Sequence, residues 1–516
     1  MVNGPQVLAI DLGTSGPKVA IVSAAGELVG GEFEPVELLL FPEGGAEQDP
    51  HAWWDAVGAA TRRVLAGHPE AVDAISAIAV TSQWSGTVAV DAAGEPLGNA
   101  IIWMDSRGAP YIRELIGGPV KVEGYDPRKL RTWIKLTGGA PTKSGKDSIA
   151  HVLYLRHERP DVYRAAAYFL EPKDYLNLRL TGETVSTHDS ITMHWITDNR
   201  NPAAVTYDAE LLALAGLDRS KFPPLRSATD TVGTLTAEAA DHLGLPTGLP
   251  VIGGTPDLHS AAIGAGTTDD LSAHLYLGTS AWLICHVPFK KTDVVHNIGT
   301  LPAAIPGRYI VANEQETAGK TLDWLSRILY QEPGPHVIDE MNEIASGVRA
   351  GSGGLIFTPW LFGERTPVDD STLRGGFFNQ GLDTGRAEMI RAVFEGVAYN
   401  SRWLLGHVER FAGSRLDPIV MVGGGAQSAL WCQIHADVLG RTIRQAEHPI
   451  MVNVRGVGLL AHVALGNLTW DDIPHTVPMA ATFSPNPDTK DTYDRLFDAF
   501  RRIHKGNRRT YRSLNG

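Results

Sequence analysis

The sequence predicts an α/β protein of two domains with a ligand site in the cleft between them. Its 516 residues are too many for one hydrophobic core and suit two domains of roughly 250 residues each. The letters LGTS occur twice with matching apolar flanks, first within DLGTSG at Asp11–Gly16 and again at Leu277–Ser280. We therefore expect a duplicated architecture, with domains at residues 1–255 and 256–516, and clefts between domains commonly hold ligands.

In the first half, apolar runs around a glycine turn predict a β-hairpin. Strands are expected over Val7–Ile10 and Lys18–Val22 around the turn Gly13–Gly16, with a third strand over Glu27–Val29. This order differs from the strand-to-helix step of a P-loop or dinucleotide fold. Further along, the patterns predict the helix HAWWDAVGAATRRVLAG, the strands AISAIAVTS and NAIIWMD, the helix SIAHVLYLRHERP, and a longer helical region, DVYRAAAYFLEPKDYLNLRLTG, broken at Pro172.

The second half repeats this organisation. The run SAHLYLGTSAWLICHV predicts a second hairpin, and RYIVAN predicts a further strand. Helices are expected over AGKTLDWLSRILYQ and over GRAEMIRAVFEGVAYNSRWLLGHVERFAG, whose apolar residues have helical spacing. The strand PIVMVGGG then leads through a glycine turn into the helix SALWCQIHADVLG. Each half is therefore expected to contain a mixed sheet with helices.

Composition excludes several classes of protein. With 45 Lys and Arg against 58 Asp and Glu, the net charge is −13, which disfavours a nucleic-acid surface. Cys285 and Cys432 lie in apolar segments, so two buried thiols and a reducing compartment are expected. No leader, membrane span or metal-ligand spacing of Cys and His is recognisable in the sequence. The expected protein is a cytoplasmic enzyme.

Two stretches have a superficial likeness to phosphate-binding motifs but depart from them at essential positions. APTKSGKDS, at Ala140–Ser148, has alanine at the first glycine position of a Walker A loop and Asp147 where Ser or Thr would bind magnesium. An exposed loop is expected there. GGGAQS has Ser428 in place of the last glycine of a dinucleotide fingerprint.

The duplicated hairpin offers another way to hold phosphate groups. Backbone amides of a turn can surround phosphate oxygens, with the hydroxyls of Thr14, Ser15 and Thr279 as further donors. Lys18 would offset phosphate charge, and Asp11 would orient hydrated Mg²⁺, which prefers carboxylate, water and phosphate oxygens. Two facing turns, one in each domain, would enclose a triphosphate. Two plain β-turns are the alternative.

Nine phrases follow one another in the order typical of one family: AIDLGTSGPKVAIV, EQDPHAWW, IIWMDSRG, EPKDYLNLRLTG, GGTPDLHSAAIGAG, YLGTS, LFGERTP, FEGVAYNSR and GGGAQSALWCQIHADVLG. With them the chain resembles the FGGY carbohydrate kinases of the actin, sugar-kinase and Hsp70 ATPase superfamily, and most closely the xylulose-kinase-like branch. The resemblance implies two actin-like (ribonuclease H-like) α/β domains with an interdomain catalytic cleft. The two LGTS turns would then be paired phosphate hairpins.

The resemblance also implies roles for residues of the nucleotide and catalytic sites. Asp257, in GGTPD, matches the base that takes the proton of the acceptor hydroxyl, and it is assigned to the metal site together with Asp11. A helix cap is the alternative role for Asp257. Thr14, Ser15 and Lys18 match the first phosphate hairpin. Gly278 and Thr279 match the second phosphate hairpin. Contacts with adenosine are implied at Gly319, Gly424, Gly425 and Ser428, and tight strand–helix packing is the alternative role for these four residues.

On the sugar side, Asp105 and Arg107 match residues that line the pocket in the family, with a structural ion pair as the alternative. Trp103 is expected either in the pocket or in the core. Xylulose kinases have Gln-Met-His where this chain has Gln83, Trp84 and Ser85. Gln83 and Trp84 are assigned to the substrate site. Having Trp84 and Ser85 in place of Met-His removes a hydrogen-bonding ring and adds bulk. It argues against xylulose as the best acceptor.

The expected function is an ATP-dependent kinase, with ATP and Mg²⁺ as cofactors, that transfers the γ-phosphoryl group to a hydroxyl of a small sugar or polyol such as a pentulose. A tetritol or glycerol-type polyol kinase is the alternative. From a different class, an actin-fold ATPase or a sugar-sensing pseudokinase is the alternative, although a pseudokinase would normally lack Asp11 or Asp257. We expect no nucleic-acid or membrane partner, and a homodimer is left open.

Overall fold

The computed structural model describes residues 4–516, and its two largest sheets lie in different halves of the chain. The strands of the first half are β1 Gln6–Gly13, β2 Gly16–Ser23, β3 Leu28–Phe33, β4 Leu39–Phe41, β5 Gly45–Gln48, β6 Ile75–Ser82, β7 Val88–Val90, β8 Ala100–Ile101, β9 Tyr168–Leu170, β10 Ser186–Thr187, β11 Thr197–Asp198, β12 Thr206–Tyr207, β13 Leu225–Arg226, β14 Thr231–Thr234 and β15 Pro250–Pro256. Its α-helices are α1 Pro50–Gly67, α2 Ala109–Ile116, α3 Pro127–Thr137, α4 Ser148–Glu158, α5 Pro160–Ala165, α6 Pro172–Thr181, α7 Ala209–Ala215, α8 Ala237–Leu243 and α9 Asp257–Gly264.

The second half is built in the same way. Its strands are β16 Ala273–Leu277, β17 Ala281–Val287, β18 Thr292–Asp293, β19 Ile298–Pro302, β20 Tyr309–Ala312, β21 Ile356–Thr358, β22 Gly376–Phe378, β23 Ile419–Val422, β24 Ile443–Ala446 and β25 Met479–Phe483. Its α-helices are α10 Lys320–Leu329, α11 Val337–Ser346, α12 Arg386–Ala412, α13 Ala429–Leu439, α14 Val452–Ala464, α15 Ile473–Thr476 and α16 Lys490–Asn515.

The two large sheets share one strand arrangement. The first has the order β14-β15-β6-β1-β2-β3, and the second has the order β18-β19-β20-β17-β16-β23-β24-β25. In the first sheet, β1 pairs antiparallel with β2 and parallel with β6. In the second, β16 pairs antiparallel with β17 and parallel with β23. The predicted duplication is therefore confirmed, whereas the exact domain boundary after residue 255 stays a prediction.

Two helices connect the sheets by crossing between them. Ala261 of α9 packs with β23 of the second sheet, although α9 directly follows β15 of the first. Val457 of α14 packs with β1 and β2 of the first sheet, although α14 follows β24 of the second. The helices touch through their backbones, since a Cβ atom on Gly264 would lie 1.8 Å from the carbonyl oxygen of Val452. This crossing places the start of α9 at the junction of the two halves.

One predicted element is wrong. The helical region expected before Pro172 is interrupted by β9, which pairs antiparallel with β7. Phe169 in β9 is completely buried. Pairing with a distant strand and burial of the ring outweigh the local helix propensity of this segment. The predicted break is confirmed, because α6 begins at Pro172.

Both cysteines are buried and free, as predicted. Burial raises the pKa of the Cys285 and Cys432 thiols to about 12. The cellular compartment of the protein stays a prediction. Within residues 4–516, no helix has both the length and the apolar character needed to cross a bilayer.

Candidate active site

A cavity of about 1060 Å³ lies between the two halves and is lined by residues of both. It brings together nine of the residues predicted for catalysis, phosphate binding and substrate binding. These are Asp11, Thr14, Ser15, Lys18, Gln83, Trp84, Trp103, Asp257 and Thr279. The remaining predicted residues lie outside its lining, namely Asp105, Arg107, Gly278, Gly319, Gly424, Gly425 and Ser428.

Asp257 is held at the first turn of α9. Pro256 occupies the cap position, and Asp257 is the first helical residue rather than the cap itself. Its Oδ1 nevertheless accepts a hydrogen bond from the backbone N–H of Leu258 at 2.7 Å, which orients the carboxylate. Burial and the nearby Asp11 carboxylate raise the pKa of Asp257 to about 7. A carboxyl group with a pKa near neutrality is well suited to exchange a proton with a substrate.

Asp11 lies near the end of β1 and is 2% exposed. Its Oδ2 accepts a hydrogen bond from Nζ of Lys18 at 3.2 Å, whereas its buried Oδ1 has no hydrogen-bond partner. An unpartnered carboxylate oxygen beside a cavity fits a hydrated divalent cation. Residues 4–516 contain no group of three or more His, Cys, Asp or Glu that could hold a metal. A cation at Asp11 would therefore take most of its ligands from water and phosphate, as Mg²⁺ does.

The first LGTS turn is anchored by a network of polar side chains. The Thr14 hydroxyl donates to Oε1 of Gln83 at 3.0 Å and accepts from Nε1 of Trp103 at 2.9 Å. Gln83 in turn donates through Nε2 to Oε1 of Gln48 at 2.8 Å. Ser15 at the tip is exposed. Gln83 and Trp103 thus use their polar groups to hold the turn, and Ser15 keeps its hydroxyl free.

The second LGTS turn is held from behind by the start of α10. The backbone N–H of Gly319 donates to the carbonyl of Gly278 at 2.7 Å, and that of Ala318 donates to the carbonyl of Thr279 at 2.9 Å. A Cβ atom on Gly319 would lie 2.6 Å from the Gly278 carbonyl oxygen, so this approach requires glycine. Thr279 itself is exposed and lines the cavity.

The wall beside Asp257 is aromatic. Trp84 is half-buried, and its Nε1 donates to the carbonyl of Ser190 at 2.9 Å. Its ring contacts the His259 ring edge to face, with 5.1 Å between centroids. Ser85 adopts a φ of 62°, and its hydroxyl donates to the carbonyl of Lys146 at 2.8 Å. The wall therefore offers aromatic surface, while its short polar groups are already bonded to the protein.

Comparison with known families decides which kind of protein has this cleft. Residues 6–264 match the N-terminal domain of the FGGY family of carbohydrate kinases, and residues 273–465 match the C-terminal domain. The chain belongs to the FGGY family. It is thus a carbohydrate kinase, a phosphotransferase that uses ATP as substrate, and its two halves have the actin-like fold that the sequence predicted.

Individual relatives resemble this kinase over nearly its whole length. The xylulose kinase of Staphylococcus epidermidis (strain ATCC 35984) is 28% identical over 97% of this chain and 96% of its own. The xylulose kinase of Escherichia coli K12 is also 28% identical, over 96% of this chain and 98% of its own. The crystal structure of xylulose kinase from Rhodospirillum rubrum has 28% identity and a TM-score of 0.83, covering 98% of this chain and 100% of that one.

In this kinase, Asp105 and Arg107 form an ion pair outside the cavity lining. Nε of Arg107 donates to Oδ2 of Asp105 at 2.9 Å, and its Nη2 donates to Oε1 of Glu47 at 2.6 Å. Asp105 also accepts from the backbone N–H of Ala46 at 2.9 Å. This geometry is that of a structural ion pair, the alternative considered for these residues. A contact of Asp105 or Arg107 with the sugar stays a prediction.

The glycine turn predicted to bind adenosine lies behind the second LGTS turn. A Cβ atom on Gly425 would lie 2.5 Å from Cδ2 of Leu277, so Gly425 is needed for packing. Ser428 caps α13 by accepting from the backbone N–H of Trp431 at 3.0 Å. Gly424, by contrast, is exposed, with open space where a Cβ would be. Nucleotide contact at these residues stays a prediction.

The loop Ala140–Ser148 is not the exposed loop that was expected. Asp147 is 3% exposed and accepts hydrogen bonds from the backbone N–H of Thr142 and from Nε1 of Trp195, each at 2.7 Å. These bonds draw the loop inward, and Lys146 lines the cavity. The position of this loop at the cavity was not predicted, because the segment was compared only with the Walker A motif, from which it departs.

Glu314 and Arg365 are among several charged residues of the second half that line the cavity and were not predicted as site residues. Arg365 belongs to the phrase LFGERTP. The signal that could have revealed it is a pair of charges, Glu364 and Arg365, close to an apolar run.

Proposed function

We propose that this kinase transfers the γ-phosphoryl group of ATP, with Mg²⁺, to a hydroxyl of a pentulose or a closely related polyol. The observation that carries the proposal is that Asp257 and Asp11 line the same cavity as residues of both LGTS turns. The acceptor class is supported by xylulose kinases that are 28% identical over nearly the whole chain.

In the proposed reaction, the acceptor hydroxyl lies against Asp257. The carboxylate takes the hydroxyl proton while the acceptor oxygen forms a bond to the γ-phosphorus, and the bond to the bridging oxygen breaks so that ADP leaves. Asp11 would hold Mg²⁺, which neutralises charge along the phosphates. Backbone N–H groups of the two turns, with the exposed hydroxyls of Ser15 and Thr279, orient the phosphate oxygens.

Water must be kept away from the γ-phosphate during this reaction, because water would compete with the acceptor. The cavity lies between two halves that are joined through α9 and α14. Closure of the halves around both substrates would exclude water and bring the two turns together. Gly424 is exposed, with open space where a Cβ would be, which leaves room for the proposed contact with adenosine.

A tetritol or other polyol is a second candidate acceptor. The indole N–H of Trp84 is bonded to Ser190, and the hydroxyl of Ser85 is bonded to Lys146. Neither side chain presents a free donor where xylulose kinases have histidine. An acceptor that does not need that donor would therefore fit this wall better than D-xylulose.

A coupled assay of ADP release tests the proposal across tetritols, pentitols, pentuloses, hexuloses and glycerol. We expect ADP release to require one of these acceptors and to stop when EDTA removes Mg²⁺. Release of ADP at the same rate without acceptor would indicate an ATPase instead. Binding of a sugar without any ADP release, in folded wild-type protein with Mg²⁺, would indicate a sensor.

A further inference from the structure

Four charged side chains lie close enough at the cleft to interact electrostatically and are called here the cross-cleft cluster: Lys146 of the first half and Glu314, Glu316 and Arg365 of the second. Arg365 donates to Glu314 through Nη1 and to Glu316 through Nε. Lys146, Glu314 and Arg365 line the same cavity as Asp257. The cluster has no part in the phosphate-binding or proton-transfer steps described above.

Three polar atoms of the cluster lack hydrogen-bond partners among the described residues. Nζ of Lys146 forms no ion pair or hydrogen bond with any described residue, and it lies 5.9 Å from the centroid of the Phe362 ring. Glu314 bonds to Arg365 through Oε2, which leaves Oε1 unused. Nη2 of Arg365 is buried without a hydrogen-bond partner. A free donor and a free acceptor therefore line one cavity from opposite halves.

Several polar side chains that line the cavity are already bonded to the protein, whereas Nε1 of Trp282 and Oδ1 of Asn453 also lack a partner. Asn313, for example, donates to the carbonyl of Leu283 at 2.6 Å and accepts from its N–H at 3.0 Å. The same holds for Gln83, Trp84, Trp103 and Trp195. Lys146 and Glu314 are thus charged groups of the cavity that remain available to oxygen atoms of an acceptor, apart from the one at Asp257.

The charge of the cluster selects among acceptors. Lys146 and Arg365 carry two positive charges, and Glu314 and Glu316 carry two negative charges, so the cluster is neutral before any ligand binds. The buried Asp147 beside it adds further negative charge when ionised. For a carboxylate or phosphate on the acceptor, attraction to Lys146 and Arg365 would be offset by repulsion from Glu314 and Glu316, so the cluster would supply no net attraction. A hydroxyl can accept from an ammonium and donate to a carboxylate at once.

We propose that Lys146 and Glu314 bind hydroxyl groups of a neutral polyhydroxylated acceptor, other than the hydroxyl that reacts at Asp257, and that Arg365 positions Glu314. The inference rests on the proposed function, since it concerns the acceptor of the same site. It assigns specificity to residues of both halves, so that acceptor binding requires the two halves to be close together.

The first test compares neutral and acidic acceptors of the same carbon skeleton in the ADP-release assay. The probes are xylitol and D-xylulose against D-xylonate, and erythritol against erythronate. We expect kcat/KM for the best neutral compound to exceed that for its acid by at least 10-fold. Equal or faster turnover of the acid would overturn the inference.

The second test measures acceptor binding by calorimetry without ATP, using the best neutral compound of the panel. Lys146→Met should weaken binding about 10- to 100-fold, the range expected for a hydrogen bond to a charged group. Lys146→Arg should restore part of it, and Glu314→Gln should weaken binding while KM for ATP stays within about 3-fold. Lys143→Met is the matched control, because Lys143 lines the cavity but is paired with exposed Asp369 at 3.2 Å.

The outcomes separate this inference from the proposed function. Unchanged acceptor affinity in folded Lys146→Met and Glu314→Gln proteins would overturn the role of the cross-cleft cluster while leaving the kinase assignment intact. If the wild-type protein neither binds nor phosphorylates any compound of the panel, the proposed acceptor class is wrong and the inference fails with it. Thermal melting of each variant establishes that it is folded.

Discussion

A Cβ atom on Gly456 of α14 would lie 1.9 Å from the carbonyl oxygen of Ser260 in α9. The backbones of the two crossing helices are therefore in direct contact at this point. Because α9 begins with Asp257, the contact also sets the position of the proposed base relative to the second half of the kinase.

Replacing Gly456 with alanine should push α14 away from α9. We expect a loss of about 1–3 kcal/mol in the free energy of unfolding, the usual cost of overpacking, together with a lower kcat. Chemical denaturation and steady-state kinetics measure the two effects. Gly506→Ala is the control, since Gly506 is an exposed helical residue with open space around its Cβ position, and alanine there should stabilise by roughly 0.5–1 kcal/mol. Equal effects of the two substitutions would contradict the helix contact.

Asp257→Asn should preserve the fold and remove the proposed base. We expect kcat to fall by about 10²–10⁴, the usual contribution of a positioned general base, while the affinities for acceptor and ATP change little. Single-turnover measurements with the best acceptor isolate the chemical step. Phosphorylation near the wild-type rate would sink the assignment.

The raised pKa of Asp257 makes stability depend on pH in a predictable direction. Its pKa is about 7 in the folded protein and about 4 in an unfolded chain. Ionisation of Asp257 therefore lowers the free energy of unfolding. The loss grows between about pH 4 and pH 7 and stays constant above pH 7.

Asp257→Asn removes this cost. In EDTA, we expect the variant and the wild type to melt alike near pH 4, and the variant to become relatively more stable up to about pH 7. Glu332→Gln, in an exposed loop, is the control for a charge removed far from the cleft. A difference in melting temperature that stays constant across this range would contradict the environment described for Asp257.

The two LGTS turns should respond differently to loss of a hydroxyl. Thr279→Val removes an exposed hydroxyl without a protein partner, so KM for ATP should rise while the melting temperature is unchanged. Thr14→Val also breaks the bonds to Gln83 and Trp103, so it should weaken ATP use and lower stability by about 1–3 kcal/mol. Calorimetry with a nonhydrolysable ATP analogue, together with thermal melting, checks both. Unchanged ATP affinity in both variants would leave the turns with a structural role only.

The aromatic wall should set preference among neutral acceptors. Because Trp84 and Ser85 offer no free donor, we expect a related polyol or ketose to be preferred to D-xylulose. Trp84→Met combined with Ser85→His should raise the xylulose preference, since a site that regains a needed hydrogen bond can change discrimination by up to ~10⁴-fold. Ser85→Ala, which adds no ring, is the control. If wild-type enzyme uses D-xylulose with the highest kcat/KM of the panel, the idea is wrong.

Local patterns were sufficient to predict both hairpins and the start of α6. A glycine turn between apolar runs specifies a hairpin within a few residues, and Pro172 can begin a helix but not continue one. The strand Tyr168–Leu170 could not be predicted in this way. Its partner, Val88–Val90, lies far away in the chain, and pairing over such a distance leaves no local signal.

By itself, the sequence determined the family, the duplicated α/β architecture and the identity of Asp11, Asp257 and the two LGTS turns as candidates, because these features depend on short contiguous stretches of chain. Only the tertiary structure decided that Lys146 and Arg365 line one cavity from the two halves and that Asp105 and Arg107 pair outside its lining. The same is true of the crossing by which α9 packs on the second sheet and α14 on the first. These outcomes depend on which distant segments are brought together when the core is buried. That choice is a property of the packed chain as a whole, and no single stretch of residues contains it.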